Sequence, residues 1–283
     1  MAYRTERGEM GSKSQFQIIF ACLGVVSALY ALEEEPWFHP PLNFHAKTAL
    51  EGSFFTGVNN GINPFDYHST NIEVIAGLLA PLTPKWDAEI EVELEGTTMT
   101  NFGFESLALQ IRRLFLNDIV ENFMSLDVGA NIRAVPQKML FDVAIPYHSL
   151  WNFELTAALG KEFTNEDDWL WRTFISGAVG QANRGYPWLK ANFDIRAKAF
   201  KYYMFSAFLR SYFGLGNRTL INIHDFDGYG FYKHQNIDVG ATFTILFSAY
   251  GSLNLSYTHR FYAKTYPVDF NAFRITYDLP FSF

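Results

Sequence analysis

The densest set of potentially reactive side chains is a row of five acidic residues at alternate positions. The row consists of Asp87, Glu89, Glu91, Glu93 and Glu95. The residues between them are apolar, as at Ile90 and Val92. Side chains of a β-strand alternate between two faces, whereas a helix would scatter these carboxylates around its circumference. The spacing therefore predicts a strand with one strongly acidic face.

Basic side chains occupy the polar faces of other segments in the same alternating way. The basic residues of this kind are Arg112, Lys190, Arg196, Lys198 and Arg210. Three of them fall on one segment, residues 189–199, whose other face is apolar. Walls of opposite charge set up a field that can orient and filter charged solutes. The two charged segments are therefore the candidate binding surfaces of the chain.

Residues that could perform catalysis or bind a metal are few. A lipid hydrolase or acyltransferase needs an activated nucleophile, and neither His148 with Ser149 nor His259 has the spacing of a catalytic triad. The histidines and aspartates of loop 214–235 match no metal-binding motif and are better explained as solvated loop residues. Phosphate-binding loops, dinucleotide fingerprints and zinc patterns are absent from the sequence. We expect no catalytic residue, no metal and no cofactor.

Apolar and polar residues alternate with a period of two along most of the chain. Thirteen segments show this pattern: 44–54, 70–80, 86–98, 107–115, 124–134, 139–147, 151–163, 169–181, 189–199, 203–213, 237–247, 253–261 and 273–283. Clusters of Gly, Pro, Asn and Asp separate them and predict turns. The sequence therefore predicts an all-β fold, and the acidic row and the basic segment are its third and ninth candidate strands.

Composition excludes several classes of protein. The 283 residues carry a net charge of −7, which offers no basic surface for a nucleic acid. After residue 32 no stretch approaches the ~18 consecutive apolar residues of a membrane-spanning helix. Aromatic residues make up 18% of the chain, so rings and polar groups must be interleaved. An alternating strand achieves this, because its two faces meet different surroundings.

The N-terminal region has the features of a secretory signal peptide. A basic flank precedes the apolar stretch 16–32, and small residues favour cleavage after Ala28 or Ala31. A buried helix or a lipoprotein signal at Cys22 fits less well, because an acidic, proline-rich segment follows and most apolar residues come after Cys22. Met10 offers a more compact start. We predict a signal peptide over 1–31, a short periplasmic segment over 32–42 and a barrel domain over 43–283.

Alternating strands fit either a soluble sandwich or a membrane barrel with its apolar face toward lipid. The candidate strands run for nine to thirteen residues, longer than the usual ~5–6 of soluble strands. Five of the six tryptophans stand where a candidate strand begins, and amphipathic rings favour the headgroup level of a membrane. Both observations favour a closed antiparallel transmembrane β-barrel.

The C-terminus carries the most specific motif. Apolar or aromatic residues occupy every second position up to the last one: Phe273, Ile275, Tyr277, Leu279, Phe281 and Phe283. This pattern resembles the terminal β-signal of bacterial outer-membrane β-barrel proteins, although Pro280 cannot donate to a sheet ladder. The resemblance implies export through the Sec pathway, recognition by the barrel-assembly machinery and insertion among outer-membrane lipids.

Single-chain bacterial barrels have even strand numbers, so thirteen candidates predict about twelve strands, or fourteen if 219–226 hides another. With either number the acidic and basic segments lie on roughly opposite walls. We therefore predict a porin-like channel for passive diffusion of small polar or charged solutes. Two alternatives stay open: a non-conducting structural or surface-adhesion barrel, and a lipid-modifying enzyme. The oligomeric state does not follow from the sequence.

Overall fold

The computed structural model describes residues 32, 34–62, 67–165 and 168–282. Within these ranges twelve antiparallel strands pair in chain order and close into a barrel, as predicted. The strands are β1 (Phe44–Phe55), β2 (Gly57–Val58), β3 (Ser69–Thr83), β4 (Trp86–Gly96), β5 (Gly103–Leu116), β6 (Ser125–Ala134), β7 (Trp151–Asn165), β8 (Asp168–Ala182), β9 (Trp188–Ala199), β10 (Tyr203–Gly214), β11 (Gln235–Leu246), β12 (Ser252–Lys264), β13 (Pro267–Val268) and β14 (Asn271–Phe281). β2 and β13 pair only with each other, outside the ring.

The ring closes between its first and last strands. β1 pairs with β14 from Phe44 opposite Phe281 to Phe54 opposite Asn271. Pro280 stands opposite His45, one pair from the end of this ladder. A proline near a strand end costs little pairing because few ladder bonds lie beyond it. The strand that carries the C-terminal motif therefore also seals the barrel.

Burial alternates along the strands with the outer face apolar. On β4, Ile90 is 41% exposed, whereas Glu91 and Glu93 are fully buried. In water this arrangement would be inside out, but it suits a barrel whose outer face meets lipid. Among the described residues, no helix has the length and apolar composition needed to cross a membrane.

The two ends of the barrel differ in the length of their connections. At the end where β1 starts and β14 finishes, here called the terminal end, strands are joined by connections as short as 84–85 and 200–202. The longest connections, 56–68, 135–150 and 215–234, all lie at the opposite or far end. Bacterial membrane barrels have the same difference between short turns at one end and long loops at the other.

The candidate strand 139–147 is not a strand. Residues Gln137–Phe141 form a 3-10 helix, and Met139, Ile145 and Tyr147 are buried. Burial does not follow the alternation here, because Leu140 and Asp142 are buried as well and Phe141 is 51% exposed. Likewise, the optional strand 219–226 forms only an isolated bridge at Ile221 and a 3-10 helix over Ile223–Asp225. Both findings lead to twelve strands instead of fourteen.

An aromatic cluster covers the far end. Its buried members are Phe55, Val58, Tyr67, Val143, Ile221, Phe226, Tyr229, Tyr232 and Tyr266. They come from connections 56–68, 135–150, 215–234 and 265–270 and from the end of β1. Burying this many rings removes a large apolar area from water. We call this group the aromatic cap.

Candidate functional site

The acidic row of β4 lies on the inner face of the barrel. Asp87, Glu89, Glu91, Glu93 and Glu95 are all 3% exposed or less. Buried carboxylates are costly unless they are paired or hydrogen-bonded. Their partners therefore determine how much charge the lumen retains.

Basic side chains from nearby strands neutralise four of the five carboxylates. Lys47 of β1 donates to Glu89 at 3.1 Å. Arg133 of β6 donates to Glu91 at 2.6 Å and also contacts Glu93. Tyr147 of the inward segment 135–150 donates to the same Glu93 carboxylate. The acidic wall is thus compensated from its own side of the barrel.

Arg112 belongs to this acidic wall and not to a basic one. It stands opposite Asp87 in the β4–β5 register and donates to that carboxylate at 2.6 Å. It also donates to Asp127 of β6 at 2.9 Å. Two carboxylates therefore share one guanidinium. Arg112, which the sequence predicted for a basic wall, neutralises charge on the acidic wall instead.

The remaining predicted basic residues lie on β9 and β10, facing inward. Lys190 pairs with Glu154 of β7 at 2.6 Å. The Lys198 ammonium lies 5.8 Å from the centre of the Trp169 ring, and the Arg210 guanidinium lies 4.4 Å from that of Phe208. β4 and β9 are five steps apart in the ring of twelve, so these cations face the acidic row across the lumen.

The described residues before β1 occupy the lumen near its terminal end. The backbone carbonyl of Glu35 accepts from Arg112 at 2.8 Å, and its carboxylate accepts from Arg196 at 2.5 Å. Trp37 is 5% exposed and donates from Nε1 to Asp118 at 2.9 Å. Residues 34–39, here called the N-terminal segment, therefore connect the acidic wall to β9 across the lumen.

A second inward element reaches the lumen from the far end. His148 stacks on Trp188 with ring centroids 3.9 Å apart, and its Nδ1 lies 2.8 Å from the Tyr212 hydroxyl. Its Nε2 is 3.2 Å from Nε2 of His234. Burial, with His234 and Lys190 nearby, lowers the pKa of His148 well below its ordinary value, and burial lowers the pKa of His234 to about 3. Both rings are neutral at pH 7, so one can donate to the other.

These inward elements divide the lumen into separate spaces. A cavity of about 670 Å³ occupies the terminal end. Beyond the N-terminal segment lie cavities of only about 140 and 70 Å³, both bordered by Pro146 of segment 135–150. The larger cavity thus lies at the terminal end, and the smaller ones lie beneath the aromatic cap.

The residues considered for catalysis do not form a nucleophilic system. His148 contacts Tyr212 and His234, and among the described residues no Ser hydroxyl or carboxylate hydrogen-bonds to its ring. The backbone amide of Ser149 donates to Asn152. His259 lies 3.0 Å from Asn271 through Nδ1. None of these arrangements contains the nucleophile, base and orienting group of a triad.

The histidines and aspartates of loop 214–235 have separate environments. Asp227 pairs with Arg184 at 3.2 Å, whereas His234 is buried against His148. His224 and Asp225 lie on the 3-10 helix that follows Asn222. In the described part of the chain, the group of acids or histidines close enough to share a metal lies elsewhere, at Glu73, Glu95 and Glu105.

Several lumen residues escape detection from the sequence. Arg133 and Glu154 lie on polar faces of candidate strands, yet nothing in their spacing marks them as partners of Glu91 and Lys190. Glu105 is harder still to predict, because it lies outside the predicted strand 107–115. It faces inward only because of a bulge in β5. Register, which sequence alone does not supply, determines all three.

The C-terminal motif lies on the outer face of β14. Phe273, Ile275 and Leu279 are 60%, 47% and 39% exposed, and Tyr277 and Phe281 are half-buried. Phe283 and the predicted signal peptide 1–31 lie outside the described residues. The apolar side of the motif would therefore face lipid in the assembled barrel.

Comparisons with solved structures place this fold among outer-membrane barrels. The COG4313 outer membrane channel from Pseudomonas putida F1 superposes with a TM-score of 0.67 at 16% identity, covering 90% of this chain and all of that one. The NanC porin gives a TM-score of 0.54 at 8% identity, covering 82% and 98%. No protein-family model and no curated protein matches the sequence. The chain therefore has the closed β-barrel fold that these outer-membrane proteins have.

Proposed function

We propose that the protein is a porin-like channel through which small polar or charged solutes diffuse across the outer membrane. The observation that carries this proposal is the large, charged cavity at the terminal end of a closed barrel. A structural barrel needs a packed interior, whereas a space of about 670 Å³ can hold a solute. The two solved structures above are described as a channel and a porin, which supports the same assignment.

The charge of this cavity indicates which solutes it favours. Seven Lys or Arg side chains line it against four Asp or Glu, but Lys47, Arg172 and Arg274 are paired with glutamates outside this lining. The basic ones are Lys47, Arg172, Arg196, Lys198, Lys201, Arg210 and Arg274, and the acidic ones are Glu34, Glu35, Asp194 and Asp278. A wall with excess positive charge raises the local concentration of anions. The excess lies on the β9–β10 side, where Arg196, Lys198, Lys201 and Arg210 outnumber Asp194, so we expect small anions to be favoured.

The acidic row contributes less to selectivity than its sequence suggests. Arg112, Arg133 and Lys47 hold four of its carboxylates in ion pairs. Paired charges produce weaker long-range fields than free ones. Selectivity is thus assigned to the β9 and β10 side of the lumen, and not to Glu91 and Glu93.

Planar-bilayer recording of the full-length protein, refolded in detergent, tests this function. The wild type should give unitary currents with a reversal potential that favours anions in a salt gradient. Replacing Arg196 and Lys198 together by Gln should move that potential toward cations. The control is Arg113→Gln, which removes an exposed charge stacked on Trp86 and Phe115 at the outer face. An unchanged potential in the double variant would refute the assigned selectivity.

A non-conducting structural or surface-contact barrel is the second candidate. The aromatic cap and the ion pairs across the lumen favour it, because they leave only narrow spaces on the far side. This candidate predicts no unitary current from the wild type. It also predicts that deleting 216–232 abolishes binding to a partner surface, whereas the channel proposal predicts that this deletion raises conductance.

A further inference from the structure

Three glutamates meet on the inner wall near the far end of the barrel. Glu73 of β3, Glu95 of β4 and Glu105 of β5 place carboxylate oxygens within 4.8 Å of one another. Their exposed fractions are 2%, 3% and 0%. Such close packing of three like charges away from water is unfavourable unless something compensates them.

The sheet itself brings the three residues together. Glu73 and Glu95 are direct cross-strand partners, an arrangement that like charges normally destabilise. The β4–β5 register shifts between Glu93, which pairs with Ser106, and Leu94, which pairs with Phe104. Glu105 is the extra residue of this bulge, and the bulge turns it inward. Bulges often redirect a side chain beside a functional site.

The carboxylates of this cluster lack the partners that the rest of the acidic face has. Both oxygens of Glu73 and both oxygens of Glu105 are buried without a hydrogen-bond partner. Among the described residues, no Lys, Arg or His forms an ion pair with any of the three glutamates. The other four carboxylates of the acidic row are each paired with an arginine or lysine, as Glu89 is with Lys47. The oxygens of Glu73 and Glu105 are therefore available as ligands for a cation.

We propose that Glu73, Glu95 and Glu105 bind a Ca²⁺ ion in the wall of the lumen. Ca²⁺ takes six to eight oxygen ligands at about 2.3–2.6 Å and tolerates irregular geometry. Three carboxylates supply up to six oxygens, and oxygens on opposite sides of such an ion lie about 5 Å apart, which suits the observed spacing. Mg²⁺ demands a tighter octahedron and keeps its waters, and Zn²⁺ prefers nitrogen and sulfur.

The cluster also borders a cavity. Glu73 and Glu95 border the cavity of about 140 Å³ beneath the aromatic cap, together with Asn71 and Glu51. Glu51 is held by Arg274 at 2.8 Å and so does not need the ion. A cation bound by the cluster would therefore lie beside this cavity, and water in it would fill the remaining coordination positions.

Calcium titration of the full-length protein in detergent tests the proposal. After treatment with EDTA and dialysis, calorimetry with CaCl₂ should report one Ca²⁺ per folded chain, and Ca²⁺ should raise the thermal midpoint because it binds the folded state. Glu105→Gln and Glu73→Gln should each weaken binding at least tenfold. Glu89→Gln is the matched control, since it removes an equally buried carboxylate of the same wall that is paired with Lys47.

Folding of every variant is checked by the heat-dependent migration that closed barrels show in gels. The two cluster variants provide independent tests if one of them fails to fold. Absence of Ca²⁺ binding to the wild type at about 1 mM, as expected if protons neutralise the cluster instead, would overturn the proposal. Equal loss of binding in Glu89→Gln and Glu105→Gln would overturn it as well, because binding would then follow total charge and not this site.

Discussion

Removing the indole of Trp37 should release the N-terminal segment from the lumen. Trp37 is the most buried apolar residue of this segment, with 5% of its surface exposed. Its ring meets Phe174 edge-on at 5.9 Å and lies under the Arg172 guanidinium at 4.8 Å. Trp37→Ala therefore removes an anchor with apolar, cation–π and hydrogen-bonding contacts, while the barrel strands keep their own pairing.

The size of the effect follows from burial. Truncating a buried Trp to Ala costs about 3–5 kcal/mol, and each ~1.4 kcal/mol changes an equilibrium tenfold. If the loss falls on docking of the segment, the ratio of docked to released states drops roughly 10²- to 10³-fold. Trp37→Phe keeps most of the packing but loses the bond to Asp118, which is worth about 1 kcal/mol, so its effect should be roughly tenfold or less.

Single-channel recording provides the assay. Open probability or unitary conductance should increase in the order wild type, Trp37→Phe, Trp37→Ala. Trp151→Ala is the control, because Trp151 is 47% exposed on the outer face. Indistinguishable recordings from wild type and Trp37→Ala, with both proteins folded, would show that the segment does not limit the pathway and would refute this reasoning.

Three further predictions concern the inner wall. The pKa of His234 is about 3 in the folded state, below the ordinary 6.5, so unfolding takes up a proton at this residue as the pH falls. The free energy of unfolding that the protein has above pH 6.5 should therefore decline by ~2 kcal/mol at pH 5. In thermal melts, His234→Gln should flatten this pH dependence. Protonation of His148 adds to the decline. Arg133→Met leaves two buried carboxylates without their cation and should lower the free energy of unfolding in urea by ~3–5 kcal/mol at pH 7. The loss should be smaller at low pH, where these carboxylates are protonated, and an equal loss at low pH would contradict this cause. Gly180→Ala would place a Cβ 1.9 Å from the Trp188 ring, which must then shift. We expect a lower melting midpoint and a changed Trp fluorescence spectrum, and an unchanged spectrum would contradict the prediction.

The barrel was predictable because its outer face is constrained along the whole chain. Lipid requires an apolar residue at every second position, and that rule leaves a periodic trace in strands such as β4. The same rule gave a wrong strand prediction at 139–147. Apolar residues alternate there too, but Met139, Ile145 and Tyr147 are buried inside the barrel. Periodicity reports that one side differs from the other, and it does not report which surroundings each side meets.

The candidate site was predictable only in part, because pairing depends on register and on elements that are not strands. The inward direction of the acidic row follows from parity alone. The position of Arg112 beside Asp87 requires the β4–β5 register, and the role of Glu35 requires a segment that crosses the lumen. Trp188 stands at a strand start like the outward Trp151, yet it lies inside, donating to Glu154 at 2.8 Å. An amphipathic ring suits both places equally.

The N-terminal segment also bears on the order in which the molecule assembles. Glu35 and Arg196 are separated by 161 positions in the chain, and Trp37 and Asp118 by 81. Contacts between such distant positions form late, since much chain must first be ordered. The segment synthesised before every strand thus finds its binding partners only when β5, β8 and β9 are already in the wall. We therefore expect a newly inserted barrel to pass through a stage in which this segment has not yet docked in the lumen.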